Sequence, residues 1–127
     1  MSNNTITGPK GFAAAGVACG LKQSGNKDIG LIVCPSGAVA AGVFTTNKVV
    51  SAAVVVCRKH LAADNIGAVV VNAGCANTCT GTQGLKNAEK MCEMTGKQLG
   101  IKSERVLVAS TGIIGHQLPM EKITRGI

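Results

Sequence analysis

The chain contains 127 residues with a mass of 12.8 kDa, a length typical of one domain of roughly 100–150 residues. Hydrophobic residues make up 46% of the chain and charged residues 15%, which excludes intrinsic disorder, and apolar runs such as residues 52–57 are far shorter than the roughly 20 residues of a membrane span. The net charge of +7 favours an anionic small molecule or an acidic partner chain over nucleic acid, because the chain has no Trp or Tyr on which bases would stack.

The N-terminal half is predicted to be mainly extended. Residues 1–8 are polar and are expected to fray. Residues 10–21 are rich in Gly and Ala and predict a strand or an irregular extended segment, followed by a turn at residues 24–28. Residues 29–34 predict a buried strand, residues 39–45 predict its hairpin partner, and residues 52–57 and 66–72 predict two further strands. The last two runs are continuously apolar, which indicates burial on both faces in a layered α/β fold.

One clear helix follows these strands. An apolar stripe at helical spacing lies between Gln83 and Gly100, and Gly100 occupies the position of a C-terminal cap. Residues 105–109 predict a strand that Ser110-Thr111-Gly112 interrupts, and Pro119 predicts the start of a final helix. Because the chain ends a few residues into that helix, we expect residues 1–127 to be a single incomplete domain.

The six cysteines would indicate disulfides in a secreted protein. The first four residues, however, carry neither the basic start nor the apolar stretch of a secretory signal. We therefore expect free thiols and a cytoplasmic location.

Residues 72–81 are the first candidate site, since they join a strand to the clear helix and are rich in small and amide residues. Free N–H groups at such a junction can hold an anion or another polar ligand. The alternative is a turn in which Asn and Thr side chains satisfy the backbone internally.

Metal and thiol chemistry find little support. Cys75 and Cys79 do not have zinc-ligand spacing, even with His60 and His116 added, so no metal site is expected. Cys75 lacks a nearby activating base in the sequence, and His60 is expected to be solvated. The only aspartates, Asp28 and Asp64, lie in turn-like polar contexts, so no Ser-His-Asp triad can be assigned.

The second candidate site is residues 106–115, in which an apolar strand meets Ser110-Thr111-Gly112. Glycine at such a junction can leave backbone N–H groups directed at a cavity, where they would stabilise the oxyanion of an acyl-transfer intermediate. An ordinary turn is the alternative reading of this spacing.

Several motifs in the same order resemble ornithine acetyltransferase, the bifunctional glutamate N-acetyltransferase family of arginine biosynthesis. The resemblance covers residues 8–127 and is carried by Gly8-Pro9-Lys10-Gly11-Phe12, Gly42-Val43-Phe44-Thr45-Thr46-Asn47, Val70-Val71-Asn72-Ala73-Gly74-Cys75-Ala76-Asn77, Thr80-Gly81 with Gln83-Gly84, Ser110-Thr111-Gly112-Ile113-Ile114-Gly115 and Leu118-Pro119-Met120.

This resemblance implies a layered α/β sandwich like that of N-terminal-nucleophile hydrolases. Family members cleave themselves into α and β chains, and the new N-terminal threonine of the β chain accepts acetyl from N-acetylornithine and passes it to glutamate. Thr111 and Gly112 match the family's oxyanion hole and inherit that catalytic role. The implied partner is the β chain of the same precursor in an α2β2 assembly, with no cofactor, although acetyl-CoA is a further donor in some members.

The segment that carries the cleavage site and the nucleophile in this family is missing from these residues. The chain therefore resembles the N-terminal part of the α chain, and alone it is expected to be inactive. Two alternatives stay open: a non-catalytic amino-acid-binding module that retains only the α half, and an acyl hydrolase that depends on Cys75.

Overall fold

A computed structural model describes residues 5–127. Its elements form a four-stranded sheet in the order β1-β2-β3-β4, together with three helices and one 3-10 turn at Ser103–Arg105. In chain order they are β1 (Ala13–Val17), β2 (Ile29–Ala38), α1 (Ala52–His60), β3 (Ile66–Cys75), α2 (Gly81–Leu99), β4 (Val106–Ile113) and α3 (Met120–Gly126).

The sheet combines two kinds of strand pairing. β1 pairs with β2 and β2 with β3 in antiparallel fashion, whereas β3 and β4 are parallel. Parallel neighbours need a crossover connection, and α2 supplies it. As a result, the carboxyl ends of β3 and β4 lie next to each other, and β4 forms an edge of the sheet.

The hydrophobic core lies between the helices and one face of the sheet. Alternate residues of the parallel strands point into it, and each helix contributes at least one fully buried side chain. These core residues include Ala68, Val70, Val106, Val108, Val56, Met91, Cys92 and Ile123. The intervening residues Val69, Val71 and Leu107 are only half-buried. Burial on both faces, which the sequence predicted for β3, is therefore reached on one face among the described residues.

The prediction of a strand at residues 52–57 was wrong, because these residues form α1. The Ser51 side chain caps the helix by accepting the Val54 N–H at 3.3 Å, and the last turn carries Arg58, Lys59 and His60, which favour a helix C-terminus. The β-branched composition of the run predicted a strand, but packing of one helix face against α2 and β4 overrides that propensity.

The predicted hairpin between residues 29–34 and 39–45 was also wrong. β2 does not end at Pro35 but continues to Ala38 through a register irregularity between Val33 and Ala38. Such an irregularity accommodates a proline in a strand. The partners of β2 are β1 and β3, and residues 39–51 contain no helix or strand.

The remaining elements agree more closely with the sequence. Residues 13–17 are extended, the long helix is present, and Gly100 caps it in the left-handed conformation (φ 67°). The final helix begins after Pro119 as predicted. Ser110-Thr111-Gly112, in contrast, does not interrupt β4, which continues to Ile113.

Two further expectations concern the ends of the chain and the thiols. The predicted fraying of residues 1–8 falls partly outside the described residues; within them, the Gly8 N–H donates to the Thr5 carbonyl at 2.9 Å. All six cysteines are unpaired. Among residues 5–127, none of the helices has the length and apolar character required to cross a membrane.

Candidate functional site

The two candidate segments meet at the carboxyl ends of β3 and β4. The parallel register places Ser110 beside Asn72, Thr111 beside Ala73 and Gly112 beside Gly74. Residues that are far apart in the sequence therefore share one end of the sheet.

Backbone atoms pack so closely here that the paired positions require glycine. Gly74 has φ 115° and Gly112 has φ 128°, both in the region that other residues rarely adopt. A Cβ atom on Gly112 would lie 2.3 Å from the Gly74 carbonyl carbon and 2.5 Å from the Cys75 nitrogen. Because residue 112 has no side chain, β3 and β4 can remain paired to their carboxyl ends.

The Thr111 and Gly112 positions are exposed. The Ala76 N–H donates to the Ile113 carbonyl at 2.8 Å, which continues the parallel ladder beyond β3. Thr111 and Gly112 both lie on β4, which is an edge strand of the sheet and has only β3 as a neighbour. A hydroxyl and an amide at an exposed edge are suitable donors for a negatively charged oxygen.

Most polar groups of residues 72–81 are satisfied internally. Ser110 Oγ accepts the Asn77 N–H at 2.9 Å and donates to the Cys75 carbonyl at 3.1 Å. The buried Asn77 side chain donates to the Gly84 carbonyl at 2.7 Å and accepts from the Thr80 hydroxyl at 2.6 Å. Asn77 and Thr80 therefore follow the self-satisfied alternative, and their hydrogen bonds attach β4 to the start of α2, whereas the buried Oδ1 of Asn72 has no hydrogen-bond partner among the described residues.

The surroundings of Cys75 oppose its use as a nucleophile. Its Sγ donates to the carbonyl oxygens of His116 and Gln117 at 3.6 and 3.8 Å. Burial raises the pKa of the thiol, and carbonyl acceptors keep the proton on sulfur. A reactive cysteine needs the opposite environment.

His60 contradicts its prediction as a solvated residue. It is buried, and its Nδ1 lies 2.7 Å from the carbonyl oxygen of Val106, at the amino end of β4 and thus far from Cys75. The basic run suggested solvent, but helix formation at residues 52–60 turns this side chain toward the sheet. His116 is exposed. Within the described residues, no three His, Cys, Asp or Glu side chains cluster as a metal site would require.

Asp28 is the residue that the sequence interpretation missed. Instead of lying in a polar turn it is buried, and its carboxylate accepts the N–H groups of Cys19, Leu21 and Lys22 at 2.6, 2.6 and 3.0 Å. Desolvation raises the pKa of this carboxyl, but these hydrogen bonds outweigh it and hold the pKa well below its ordinary value. The available signal was its position directly before a buried apolar strand.

A family model described as the ArgJ family matches residues 13–127. The arginine biosynthesis bifunctional protein ArgJ of Thermotoga neapolitana is 52% identical over 121 residues, which cover 94% of this chain and 30% of that protein. ArgJ 1 of Nostoc sp. is 48% identical over 123 residues, 96% of this chain and 30% of its own length. The chain thus spans about a third or less of these curated relatives.

Solved structures give the same result. The ArgJ crystal structure from Bacillus halodurans matches with a TM-score of 0.92 and 41% identity, over 95% of this chain and 63% of that chain. The ornithine acetyltransferase of Mycobacterium tuberculosis, in complex with ornithine, matches with a TM-score of 0.88 and 40% identity, over 93% of this chain and 64% of that chain. These matches confirm both the layered α/β fold and the resemblance found in the sequence: the chain belongs to the ArgJ family.

Proposed function

We propose that this chain is the N-terminal part of the α chain of an acetyltransferase that moves acetyl from N-acetylornithine to glutamate in arginine biosynthesis. The observation that carries this proposal is the similarity to an ornithine acetyltransferase whose structure contains ornithine, at 40% identity over 93% of the chain. Membership of the ArgJ family over residues 13–127 supports the same assignment.

The proposed reaction proceeds in two halves. The hydroxyl of an N-terminal threonine on a β chain attacks the acetyl carbonyl of N-acetylornithine, and its own α-amino group accepts the proton. The C–N bond then breaks, ornithine leaves with that proton, and an acetyl-enzyme ester remains. The amine of glutamate attacks this ester, which forms N-acetylglutamate and restores the threonine hydroxyl.

The role proposed for this chain is to stabilise the oxyanion in both halves. The Thr111 hydroxyl and the Gly112 N–H would donate to the carbonyl oxygen as it becomes negatively charged. Their exposure at the free edge of β4 supports this role, because a second chain can bring its nucleophile to that edge. One such donor typically contributes about 10²–10³ in rate.

The proposed partner is the β chain of the same precursor, in an α2β2 assembly in the cytoplasm. The half-buried sheet face at Val69, Val71 and Leu107 supports a further covering layer, since both faces of such strands are usually buried. The reaction as written needs no cofactor, and acetyl-CoA is a second candidate donor. Neither nucleic acid nor a membrane is required.

Thr111→Val tests the catalytic role, because it removes the hydroxyl with little change of shape. In the chain assembled with the rest of a matching α chain and its β chain, we expect kcat for acetyl transfer to fall about 10²-fold with KM nearly unchanged, since the donor acts on the transition state. Thr82→Val is the matched control, because Thr82 is exposed at the start of α2. Equal kcat values for the two variants would refute the assignment of Thr111.

A further inference from the structure

We propose that Asp28 is a positioning residue for the Thr111–Gly112 edge, through the loop of residues 19–22 and Gly74. This inference rests on the proposed function, because it concerns the same oxyanion site. It assigns a role to a buried acidic residue that lies outside the reacting groups.

The first step is the attachment of the loop to Asp28. Three amides of this loop, those of Cys19, Leu21 and Lys22, all donate to one carboxylate. Asp28 has no cationic partner: among residues 5–127 the one ion pair is Lys90–Glu93. A buried carboxylate needs such compensation, and short charge-assisted hydrogen bonds provide it. The loop conformation is therefore tied to the ionised side chain.

The second step is the attachment of Asp28 to the sheet. Its N–H donates to the Val17 carbonyl at 2.9 Å, and its carbonyl accepts the Ala73 N–H at 2.8 Å. Asp28 thus connects β1 with the end of β3, one residue before Gly74. The Lys122 ammonium donates to the Gly20 carbonyl at 2.8 Å and attaches α3 to the same loop.

The third step is the packing of the loop against Gly74, and of Gly74 against Gly112 at the candidate site. A Cβ on Gly74 would lie 3.3 Å from the carbonyl carbon and oxygen of Leu21, so the loop packs directly on the Gly74 backbone. The Gly74–Cys75 peptide in turn packs on Gly112, where no Cβ fits. Loop, Gly74 and Gly112 form a continuous stack of backbone atoms. Close-packed backbone transmits a displacement, so a shift of the loop reaches the Gly112 amide.

Asp28→Asn tests this proposal, because it keeps the shape of the side chain. One carboxylate oxygen becomes an NH₂ group, which faces loop N–H donors and cannot accept from them. In the chain assembled with the rest of a matching α chain and its β chain, we expect kcat to fall about 10-fold to 100-fold with a change in KM below about threefold, since a misplaced donor stabilises the transition state less. Asp64→Asn is the control, because Asp64 is exposed.

A purely structural role of Asp28 would lower stability without moving the site. The second measurement is therefore the NMR chemical shift of the Gly74 and Gly112 backbone amides in ¹⁵N-glycine-labelled protein. Asp28→Asn should shift these two resonances, and Asp64→Asn should leave them unchanged. Unshifted Gly112 in folded Asp28→Asn protein would overturn the proposal. If wild-type assembly transfers no acetyl group, the proposed function fails, and the glycine resonances alone then decide the positioning role.

A second variant covers the case in which Asp28→Asn does not fold. Gly74→Ala places a Cβ atom against the Leu21 carbonyl group of the loop and leaves the Asp28 carboxylate unchanged. We expect it to shift the amide resonances of Cys19 and Leu21 and to lower kcat in the same way. Unchanged loop resonances would show that Gly74 and the loop are uncoupled, and the proposal would be wrong.

Discussion

Two glycines determine how closely the ends of β3 and β4 approach each other. Gly74 and Gly112 are register partners with positive φ, and the peptide after Gly74 occupies the space that a Cβ on residue 112 would need. Gly115 also has a positive φ (85°), but open space surrounds its Cβ position. Conformational strain and steric overlap can therefore be separated by comparing these positions.

Gly112→Ala should destabilise the fold by about 2–6 kcal/mol, since strained backbone and overpacking each cost about 1–3 kcal/mol. In the assembled enzyme it should also lower kcat far more than it raises KM. Gly115→Ala introduces only the conformational strain of a positive φ, without steric overlap, and should lower the free energy of unfolding by about 1–2 kcal/mol. Urea unfolding measures both variants, and equal destabilisation would contradict the close approach of Gly74.

At this scale the sequence offered a candidate site. An apolar strand that meets Ser110-Thr111-Gly112 left an ordinary turn as the alternative, and the resemblance to ornithine acetyltransferase assigned the donor role to Thr111 and Gly112. That role stays a prediction. The position of Asp28 directly before a buried apolar strand was the one available signal, because its hydrogen-bond partners are backbone amides, which carry no sequence signature. Whether a polar residue is buried beside such amides depends on how a loop folds back over it.

At the scale of the elements, two side chains of α1 form hydrogen bonds to β4: Cys57 donates to the Val108 carbonyl at 3.1 Å, and the buried His60 contacts Val106 at the end of the helix. His60 Nδ1 lies 2.7 Å from the Val106 carbonyl, so the helix C-terminus is held at the beginning of β4. Removal of the imidazole would leave a buried carbonyl without its partner, and such groups are costly in the interior.

His60→Ala should therefore lower the free energy of unfolding by about 1–3 kcal/mol from the lost hydrogen bond alone. His116→Ala is the control, because His116 is exposed and should change stability by less than about 0.5 kcal/mol. Chemical denaturation of the two variants provides the comparison. Similar stability of the two would mean that the His60 contact contributes nothing.

Elements were predictable where local pattern and tertiary packing agree. The stripe and the Gly100 cap identified α2, and residues 29–34 were correctly placed in a strand. Residues 52–57 were not, because a short β-branched run suits a buried strand as well as a buried helix face. The hairpin failed for a related reason: β2 pairs with a strand that follows α1, and non-local pairing has no local signal.

At the scale of the whole molecule, one face of the sheet is packed against three helices and the other carries half-buried apolar side chains among the described residues. The chain covers 30% of the length of its curated relatives. A net charge of +7 is also suited to an acidic partner or to carboxylate-bearing substrates. These features are consistent with a chain that acts together with a second one.

The most direct test is an acetyl-transfer assay with the purified chain, with a matching partner that supplies the rest of the α chain and the β chain, and with the two combined. We predict no transfer from N-acetylornithine to glutamate by either component alone, and turnover by the combined components with acetyl bound to the N-terminal threonine of the β chain. Mass spectrometry of the acid-quenched reaction locates that acetyl group. A correctly assembled pair that transfers no acetyl group, or turnover by this chain alone, would contradict the proposed function.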